Sequence, residues 1–321
     1  MTRNTHVVTG ALGYSGRFIA RRLLDAGLPV RTLTGSPEKH NPFGDRIEIQ
    51  PLSFDDPSAL AESMGDAAVL YNTYWVRFNH RHFGHAEAVD NTHTLFAAAK
   101  AAGVGRIVHV SITNPSLSSP FEYFRGKAQL EAALRDTGIP HSILRPAVLF
   151  GHDDILINNI AWMLRRLPIF GIFGDGAYEL QPIHVDDFAE LALAQGAATG
   201  NRIIDAIGPQ TFTYRRLVAE IGTRIGAPRP LVSIPATLGA AIGWLLGHLI
   251  GDVLITKPEI DGLMAGLLAT NAPPAGHTQL TDWLDANARI VGGRYHNELH
   301  RRRRELPRDV RGRKKAAPET L

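Results

Sequence analysis

The 321-residue sequence contains no cysteine, and this absence removes several kinds of chemistry at once. Without thiols the chain forms no disulfide, offers no thiolate to a metal ion and has no cysteine nucleophile. We also expect no secretory signal, because the first apolar run, His6–Thr9, starts too early and is too short for one. From the missing signal we expect a cytoplasmic protein, and the absence of cysteine excludes only thiol chemistry.

The positive charge of the chain is concentrated at its end. The formal net charge is +3, but residues 301–321 carry nine Lys/Arg and three Asp/Glu, so the remainder is slightly acidic. Low hydrophobicity and clustered like charges predict a disordered tail over 301–321. No aromatic residue lies between the arginines and no recognition module accompanies them, so we expect no specific nucleic-acid partner. Nonspecific contact with phosphates of nucleic acid or of an anionic membrane is the alternative.

Short apolar runs alternate with segments of helical periodicity through the first half of the chain. This alternation is typical of βαβ units and predicts an α/β fold with a doubly wound parallel sheet. The predicted strands are His6–Thr9, Val30–Thr34, Ile47–Pro51, Ala67–Asn72, 106–113, 141–150 and 202–208. After Gly151 the alternation becomes irregular, and residues 167–184, rich in Gly, Pro and aromatic residues, are predicted to form loop and cleft wall.

Three glycines at three-residue spacing, Gly10, Gly13 and Gly16, separate the first predicted strand from the first predicted helix. In this context the first glycine permits a tight turn, the second permits a diphosphate to approach the backbone, and the third lets the helix pack closely on the strand. Free N–H groups and the dipole at the helix start favour the negative charge of the diphosphate. The pattern predicts dinucleotide binding; a purely structural turn is the alternative.

The G-x-x-G-x-x-G pattern, with Thr9 ahead of it, resembles the short-chain dehydrogenase/reductase superfamily in its atypical or extended branch. Segments 144–151 (LRPAVLFG) and 182–190 (PIHVDDFAE) resemble two further motifs of that branch, and the resemblance covers about residues 5–235. Within it the chain is most similar to NmrA-like proteins and to the nucleotide-binding accessory subunit of respiratory complex I. The resemblance implies a Rossmann domain that binds NAD(P), held in part by Thr9, Gly10, Gly13, Tyr14, Ser15 and Gly16.

The same resemblance implies an active site. Ser111, Tyr123 and Lys127 match the superfamily's Ser…Tyr-x-x-x-Lys, and Asn91 matches the Asn of the helix that buttresses the site. Tyr123 and Lys127 are four residues apart, so on a helix they share one face. A nearby cation favours the phenolate, which makes the pair an acid/base at neutral pH. Lys127 would also hold the cofactor ribose, and Ser111, with Thr113 as a substitute, would hold a substrate oxygen.

The choice between NAD and NADP depends on the end of the second strand, where an acid binds the ribose 2′-OH and an Arg accommodates a 2′-phosphate. No carboxylate occurs over Thr34, Gly35 and Ser36, which favours NADP, with Arg31, Ser36 and Lys39 as candidate phosphate ligands. We therefore predict NADP or NAD as cofactor, with a preference for NADP.

Two further segments bear on ligands and partners. Residues 71–88 combine aromatics with Arg77, His80, His82 and His85 and are interpreted as a polar, aromatic lid, with a metal site as the alternative; we predict no metal. Residues 231–251 carry no Asp, Glu, Lys or Arg, with glycines at every fourth position from Gly239 to Gly251. A buried or dimer-contacting helix is the favoured interpretation, and peripheral membrane contact or a membrane span are the alternatives.

The sequence as a whole predicts residues 1–150 as the Rossmann domain. Residues 151–300 would form a smaller α-rich substrate part interleaved with it, followed by the tail. The favoured function is an NAD(P)-dependent oxidoreductase or epimerase-like enzyme that transfers hydride to or from a small carbonyl or alcohol substrate. The alternative is a non-catalytic dinucleotide-binding regulatory or assembly protein. A small-molecule substrate is the expected partner, and a homo-oligomer is compatible with the sequence.

Overall fold

A computed structural model of the protein describes residues 3–79, 83–239, 243, 251–253 and 255–297. The strands within these ranges are β1 (Thr5–Thr9), β2 (Val30–Thr34), β3 (Ile47–Pro51), β4 (Ala67–Asn72), β5 (Arg106–Val110), β6 (His141–Pro146), β7 (Val148–Phe150), β8 (Phe170–Phe173), β9 (Glu179–Leu180), β10 (Pro182–His184), β11 (Arg202–Ala206), β12 (Phe212–Thr213) and β13 (Leu231–Ile234). The α-helices are α1 (Tyr14–Asp25), α2 (Pro57–Glu62), α3 (His85–Ala101), α4 (Glu122–Asp136), α5 (Leu156–Arg166), α6 (Val185–Ala197), α7 (Tyr214–Arg224), α8 (Lys257–Met264) and α9 (Leu280–Asn287).

Seven strands form one parallel sheet in the order β11-β6-β5-β4-β1-β2-β3. The chain moves outward from β1 to β3 on one side and then from β4 to β11 on the other, so the direction of winding reverses between β1 and β4. In doubly wound sheets ligands bind at the carboxyl ends of the strands beside such a reversal. The predicted α/β class with a doubly wound parallel sheet is confirmed, and the candidate site is expected just beyond Thr9 and Asn72.

Helices cover both faces of this sheet. On one face α1 and α6 pack over β1 and its neighbours through residues such as Ile19, Leu23 and Phe188, all completely buried. On the other face α2, α3 and α4 bury Leu60, Leu95 and Leu130 among others. Fully covered parallel strands read as continuous apolar runs, which explains why the sequence pattern of the first half is easy to recognise.

A third apolar core lies in the C-terminal part and combines α5, α7, α8 and α9 with several short strands. The prediction of loop over residues 167–184 is wrong in part, because β8, β9 and β10 form there and pair with β13, β12 and β7. Phe170 and Ile172 alternate with Gly171 and are buried, as in a strand with one covered face. The glycines and prolines around these short strands conceal that alternation in the sequence.

The apolar stretch 231–251 begins as strand β13, which pairs with β8. Most of the remainder, 240–242 and 244–250, lies outside the described residues, and so does the basic tail 301–321. The predictions of an apolar helix and of a disordered tail therefore stay predictions. Within the part of the chain that the structure describes, no helix combines the length and the apolar character needed to cross a membrane.

Candidate functional site

The glycine loop connects β1 to α1 and has a conformation that requires its glycines. Gly10 has φ +69°, a region that L side chains rarely adopt. A Cβ atom on Gly16 would lie 2.4 Å from the Gly10 carbonyl oxygen, and one on Gly13 would lie 3.0 Å from the same atom. The first turn of α1 therefore packs directly on the loop backbone, as a dinucleotide-binding turn requires.

The start of α1 is available to an anion. Gly13 is the N-cap residue, no side chain caps the helix, and the first turn contains no acidic residue. Tyr14 and Ser15 open the helix, and the Tyr14 ring packs edge-on against Phe18 at a centroid distance of 5.9 Å. Uncapped N–H groups and the positive end of the helix dipole fit the diphosphate of a dinucleotide.

Thr9 joins the glycine loop to the segment that follows β4. Its hydroxyl accepts hydrogen bonds from the backbone N–H groups of Thr73 (2.8 Å) and Tyr74 (3.1 Å) and donates to Asn72 Oδ1 (3.2 Å). Asn72 in turn contacts the completely buried His109 on β5, with 3.1 Å between Nδ2 and Nδ1. Thr9 therefore orders the floor of the site through its own hydrogen bonds.

Replacing Thr9 by Val is expected to lower the free energy of unfolding by about 2 kcal/mol, because the Thr73 backbone N–H loses its acceptor. The Tyr74 N–H loses one of two acceptors and keeps Asn72 Oδ1 at 3.0 Å. Equilibrium urea unfolding measures the change. Thr9→Ser keeps the hydroxyl and serves as the control, with a loss of about 1 kcal/mol for the missing methyl group. Equal losses in both variants would show that the hydrogen bonds of Thr9 contribute nothing.

At the end of β2 the predicted cofactor residues separate into two groups. Thr34, Gly35 and Ser36 lie at the carboxyl end of the strand; Gly35 is exposed, whereas Ser36 is completely buried. The Ser36 hydroxyl has no hydrogen-bond partner among the described residues, although its backbone N–H donates to Thr34 Oγ1. A buried hydroxyl without a partner is the kind of group that a bound ribose or phosphate satisfies.

Arg31 does not belong to this group, and its assignment as a cofactor ligand is wrong. It lies at the amino-terminal end of β2, where its guanidinium binds Asp66 at 2.6 Å and Glu48 at 2.7 Å and also donates to the Ser63 carbonyl. Because two carboxylates hold its guanidinium at the opposite end of the strand, Arg31 is not placed to bind a ribose phosphate at the carboxyl end.

Tyr123 and Lys127 meet at the indole of Trp75. The Tyr123 ring lies edge-on to the Trp75 ring, with centroids 5.5 Å apart, and Lys127 Nζ lies 4.3 Å from the centroid of that ring. Gly126, between them on α4, admits the indole, since a Cβ there would lie 3.0 Å from it. Trp75 also stacks on His85 of α3. The predicted sharing of one helix face by Tyr123 and Lys127 is thus observed around a third residue that sequence reasoning missed.

Lys127 is unusually deep for a lysine, with 2% of its surface exposed. Its ammonium donates to the Val110 carbonyl at 2.7 Å. Burial lowers the pKa of Lys127 from its usual 10.5 to about 7, while the negative charge of Glu131 acts in the opposite direction. An amine that titrates near neutral pH beside a tyrosine is suited to acid/base chemistry.

Ser111 has a different role from the predicted one. It is 2% exposed, and its hydroxyl donates to Glu131 Oε1 at 2.6 Å. Glu131 is equally buried and is held by Arg145 through two hydrogen bonds of 2.9 and 2.6 Å. A hydroxyl has one proton, so Ser111 has none left for a substrate carbonyl. In this arrangement Ser111 does not donate to a substrate carbonyl, whereas the predicted contact with a substrate hydroxyl stays a prediction.

Thr113 does not replace Ser111, since its hydroxyl donates to the Leu267 carbonyl at 2.8 Å. Asn91 contacts the site indirectly, because its Nδ2 donates to the Tyr74 hydroxyl at 2.9 Å.

The lid segment connects to the C-terminal part through an ion pair of 2.5 Å between Arg77 and Glu259. Sequence reasoning missed Glu131; its position four residues after Lys127 was the available signal.

The histidines of the lid do not form a metal site in the described part of the chain. No group of three or more His, Asp or Glu side chains comes together there in an arrangement that could hold an ion. His80 and His82 lie outside the described residues. His85 contacts the rings of both Trp75 and Tyr123, and burial lowers its pKa.

Comparison with known proteins also assigns dinucleotide binding to the glycine loop and the parallel sheet. A family of NAD(P)H-binding domains matches residues 10–158. Those residues form an NAD(P)H-binding domain. The predicted NAD(P) cofactor is confirmed, whereas the preference for NADP stays a prediction. The NAD(P)H-binding domain includes the glycine loop and all of α4, which places the Tyr123–Lys127 pair within the matched region.

Two curated relatives extend the similarity beyond that domain. The mitochondrial NADH dehydrogenase (ubiquinone) 1 alpha subcomplex subunit 9 of Arabidopsis thaliana is 28% identical over 225 residues, which cover 67% of this chain and 56% of that subunit. The chain thus spans just over half the length of that relative. The (4-alkanoyl-5-oxo-2,5-dihydrofuran-3-yl)methyl phosphate reductase of Streptomyces griseus is 28% identical over 229 residues, or 69% of this chain and 74% of the reductase.

Among solved structures, triphenylmethane reductase of Citrobacter sp. in complex with NADP(H) shares the fold. Its TM-score is 0.72 at 17% identity, over 88% of this chain and 99% of that one. The predicted resemblance to atypical short-chain dehydrogenases/reductases and to the complex I accessory subunit is confirmed by these matches. The Streptomyces griseus reductase and the complex I subunit are therefore similar in sequence to the NAD(P)H-binding domain described here, and triphenylmethane reductase shares its fold.

Proposed function

We propose that this protein is an NAD(P)H-dependent reductase of a small carbonyl compound. The observation that carries the proposal is the pairing of Tyr123 and Lys127 on the indole of Trp75, at the carboxyl edge of the sheet, with the pKa of Lys127 lowered to about 7. The name of the Streptomyces griseus relative describes an alkanoyl-substituted lactone, which supports a substrate with an apolar chain next to a carbonyl group.

The residues of the site divide the work between them. When bound, the dinucleotide supplies the hydride. The glycine loop and the uncapped start of α1 hold its diphosphate, and Ser36 lies where the adenosine ribose is expected. The hydroxyl of Tyr123 donates a proton to the substrate oxygen, and protonated Lys127 favours the phenolate that results. The Trp75 indole contacts both side chains, and Lys127 is buried beneath the surface of the site.

A second candidate function, a non-catalytic dinucleotide-binding subunit, is favoured by one specific observation. The hydroxyl protons of Ser111 and Thr113 are both donated to protein acceptors, so neither residue polarises a substrate carbonyl. The relatedness to a complex I subunit points the same way and would give the chain a protein partner at a membrane complex. Consumption of NADPH in the presence of acyl-substituted lactones and 3-oxo acids separates the two candidates, with Tyr123→Phe as the control.

The preference for NADP is part of the proposal, and Gly35 offers a test of it. Gly35 is exposed and has no positive φ, so Asp fits there without backbone strain. Gly35→Asp is expected to weaken NADPH binding roughly tenfold and leave NADH binding unchanged, because a carboxylate repels the 2′-phosphate. Gly35→Asn, similar in size but neutral, should leave both affinities near those of the wild type. An equal loss for the two cofactors, or for Asp and Asn, would place the 2′-phosphate elsewhere.

A further inference from the structure

Glu131 is a buried carboxylate that the acid/base pair itself does not explain. It lies on α4 one turn after Lys127, and 2% of its surface is exposed. Three donors hold it: the Ser111 hydroxyl on Oε1, Arg145 Nε on Oε1 and the Arg145 terminal nitrogen on Oε2, at 2.6, 2.9 and 2.6 Å. A carboxylate that accepts three hydrogen bonds, two of them from an arginine, is ionised.

The connections of Glu131 fix its place. Ser111 follows β5 and Arg145 lies on β6, so the carboxylate is tied to two neighbouring strands of the sheet as well as to its own helix. A surface carboxylate samples several rotamers, whereas the Glu131 carboxylate is buried and held by three hydrogen bonds. Removing one partner of such a buried pair is costly, because the other charge is left without compensation.

Lys127 is surrounded by groups that do not stabilise its positive charge as well as a carboxylate does. Its ammonium contacts the Val110 carbonyl and the Trp75 ring. His109 on β5 is completely buried, and burial together with the charge of Lys127 lowers its pKa, so it is neutral. His85 contacts the same indole, and burial lowers its pKa, so it adds no charge at neutral pH; the Tyr123 ring contacts both. The buried negative charge on the same helix face as Lys127 is therefore that of Glu131.

We propose that Glu131 is a positioning residue of the site: tied to Ser111 and Arg145, it supplies a buried negative charge, one helical turn from Lys127, that favours the protonated form of Lys127 beside Tyr123. In this arrangement Ser111 serves the carboxylate rather than the substrate, which explains why its proton is directed inward. This inference rests on the proposed function only in saying what the positive charge on Lys127 does during the reaction. The charge itself is measurable without a substrate.

Lysine side-chain NMR measures the charge on Lys127 directly. The chain has only six lysines, Lys39, Lys100, Lys127, Lys257, Lys314 and Lys315, so protein labelled with 13C at the lysine ε-carbon gives few signals. Lys127→Arg assigns the signal of Lys127 by its disappearance. In the wild-type protein we expect this signal to titrate near pH 7, well below the usual 10.5 of a lysine side chain.

Glu131→Gln removes the negative charge and keeps the size of the side chain. The titration of Lys127 is expected to move roughly one pH unit lower, because an opposite charge no longer favours the ammonium. Asp136→Asn is the matched control: it removes the same charge from an exposed position on the same helix and should leave the titration of Lys127 unchanged. An unchanged titration in Glu131→Gln would overturn the proposal.

Arg145→Gln keeps the proposal testable if Glu131→Gln does not fold. It removes the positive charge that faces Glu131 and leaves the carboxylate and its bond to Ser111. The titration of Lys127 should then move to higher pH, opposite in direction to Glu131→Gln, and no upward movement would contradict the proposed role. These titrations are independent of turnover, so a protein with the predicted shifts but no reductase activity would refute the proposed function alone.

Discussion

Replacing Tyr123 by Phe is expected to reduce turnover about 10²–10⁴-fold while the affinity for the reduced dinucleotide changes less than about twofold. The variant loses the hydroxyl that donates the proton, but it keeps the ring that packs against Trp75 and His85. The packing of the site, and with it the stability of the fold, should therefore be preserved. Steady-state NADPH oxidation and fluorescence titration of NADPH measure the two quantities separately.

Tyr214→Phe provides the control for this prediction. Tyr214 is a buried tyrosine in the C-terminal core, stacked on Tyr178, and it has no part in the proposed chemistry. Its replacement removes a hydroxyl of the same kind and should leave turnover unchanged. If Tyr123→Phe turned over at the wild-type rate, Tyr123 would be excluded as the proton donor, whereas an equal loss in both variants would indicate general damage.

The second large effect concerns the glycine loop. Gly13→Asp is expected to weaken the binding of NADPH and NADH at least about 100-fold, because a carboxylate at the N-cap of α1 occupies the N–H groups that the diphosphate needs and repels its charge. Asp is a favourable N-cap residue, so the variant should fold. The thermal unfolding midpoint of the variant checks that point.

Gly13→Asn distinguishes charge from size. A Cβ at position 13 comes within 3.0 Å of the Gly10 carbonyl oxygen, so both variants push against the loop to the same extent. Asn is also a good N-cap but is neutral, and its loss of affinity should be clearly smaller. Wild-type affinity in Gly13→Asp would mean that the diphosphate binds away from this loop.

Much of the fold could be predicted from the sequence because its main strands are specified by residues close together in the chain. Strands β2, β3 and β4 begin and end at the predicted residues, since each is an apolar run bounded by turn residues. The short strands β8, β9 and β10 escaped prediction because their partners β13, β12 and β7 are distant in the chain. Two- to four-residue strands carry too few positions for a periodic pattern.

The candidate site shows the same limit. The spacing of Tyr123 and Lys127 predicted a shared helix face, but nothing local indicated that Trp75 lies between them. Ser111 was assigned a substrate contact because its motif has one, yet the direction of its proton depends on Glu131, twenty residues later. Arg31 was misassigned for the same reason, because its partner Asp66 lies 35 residues away. Long-range charge pairing decides these roles, and a single sequence does not show it.

The most direct test of the account is a titration of the purified wild-type protein with NADPH and with NADH, followed by cofactor fluorescence. We predict saturable binding with one site per chain, tighter for NADPH than for NADH, because the end of β2 offers Ser36 and no carboxylate over residues 34–36. Absence of saturable binding for both cofactors would contradict the assignment of the glycine loop, and the proposed reductase function would fall with it.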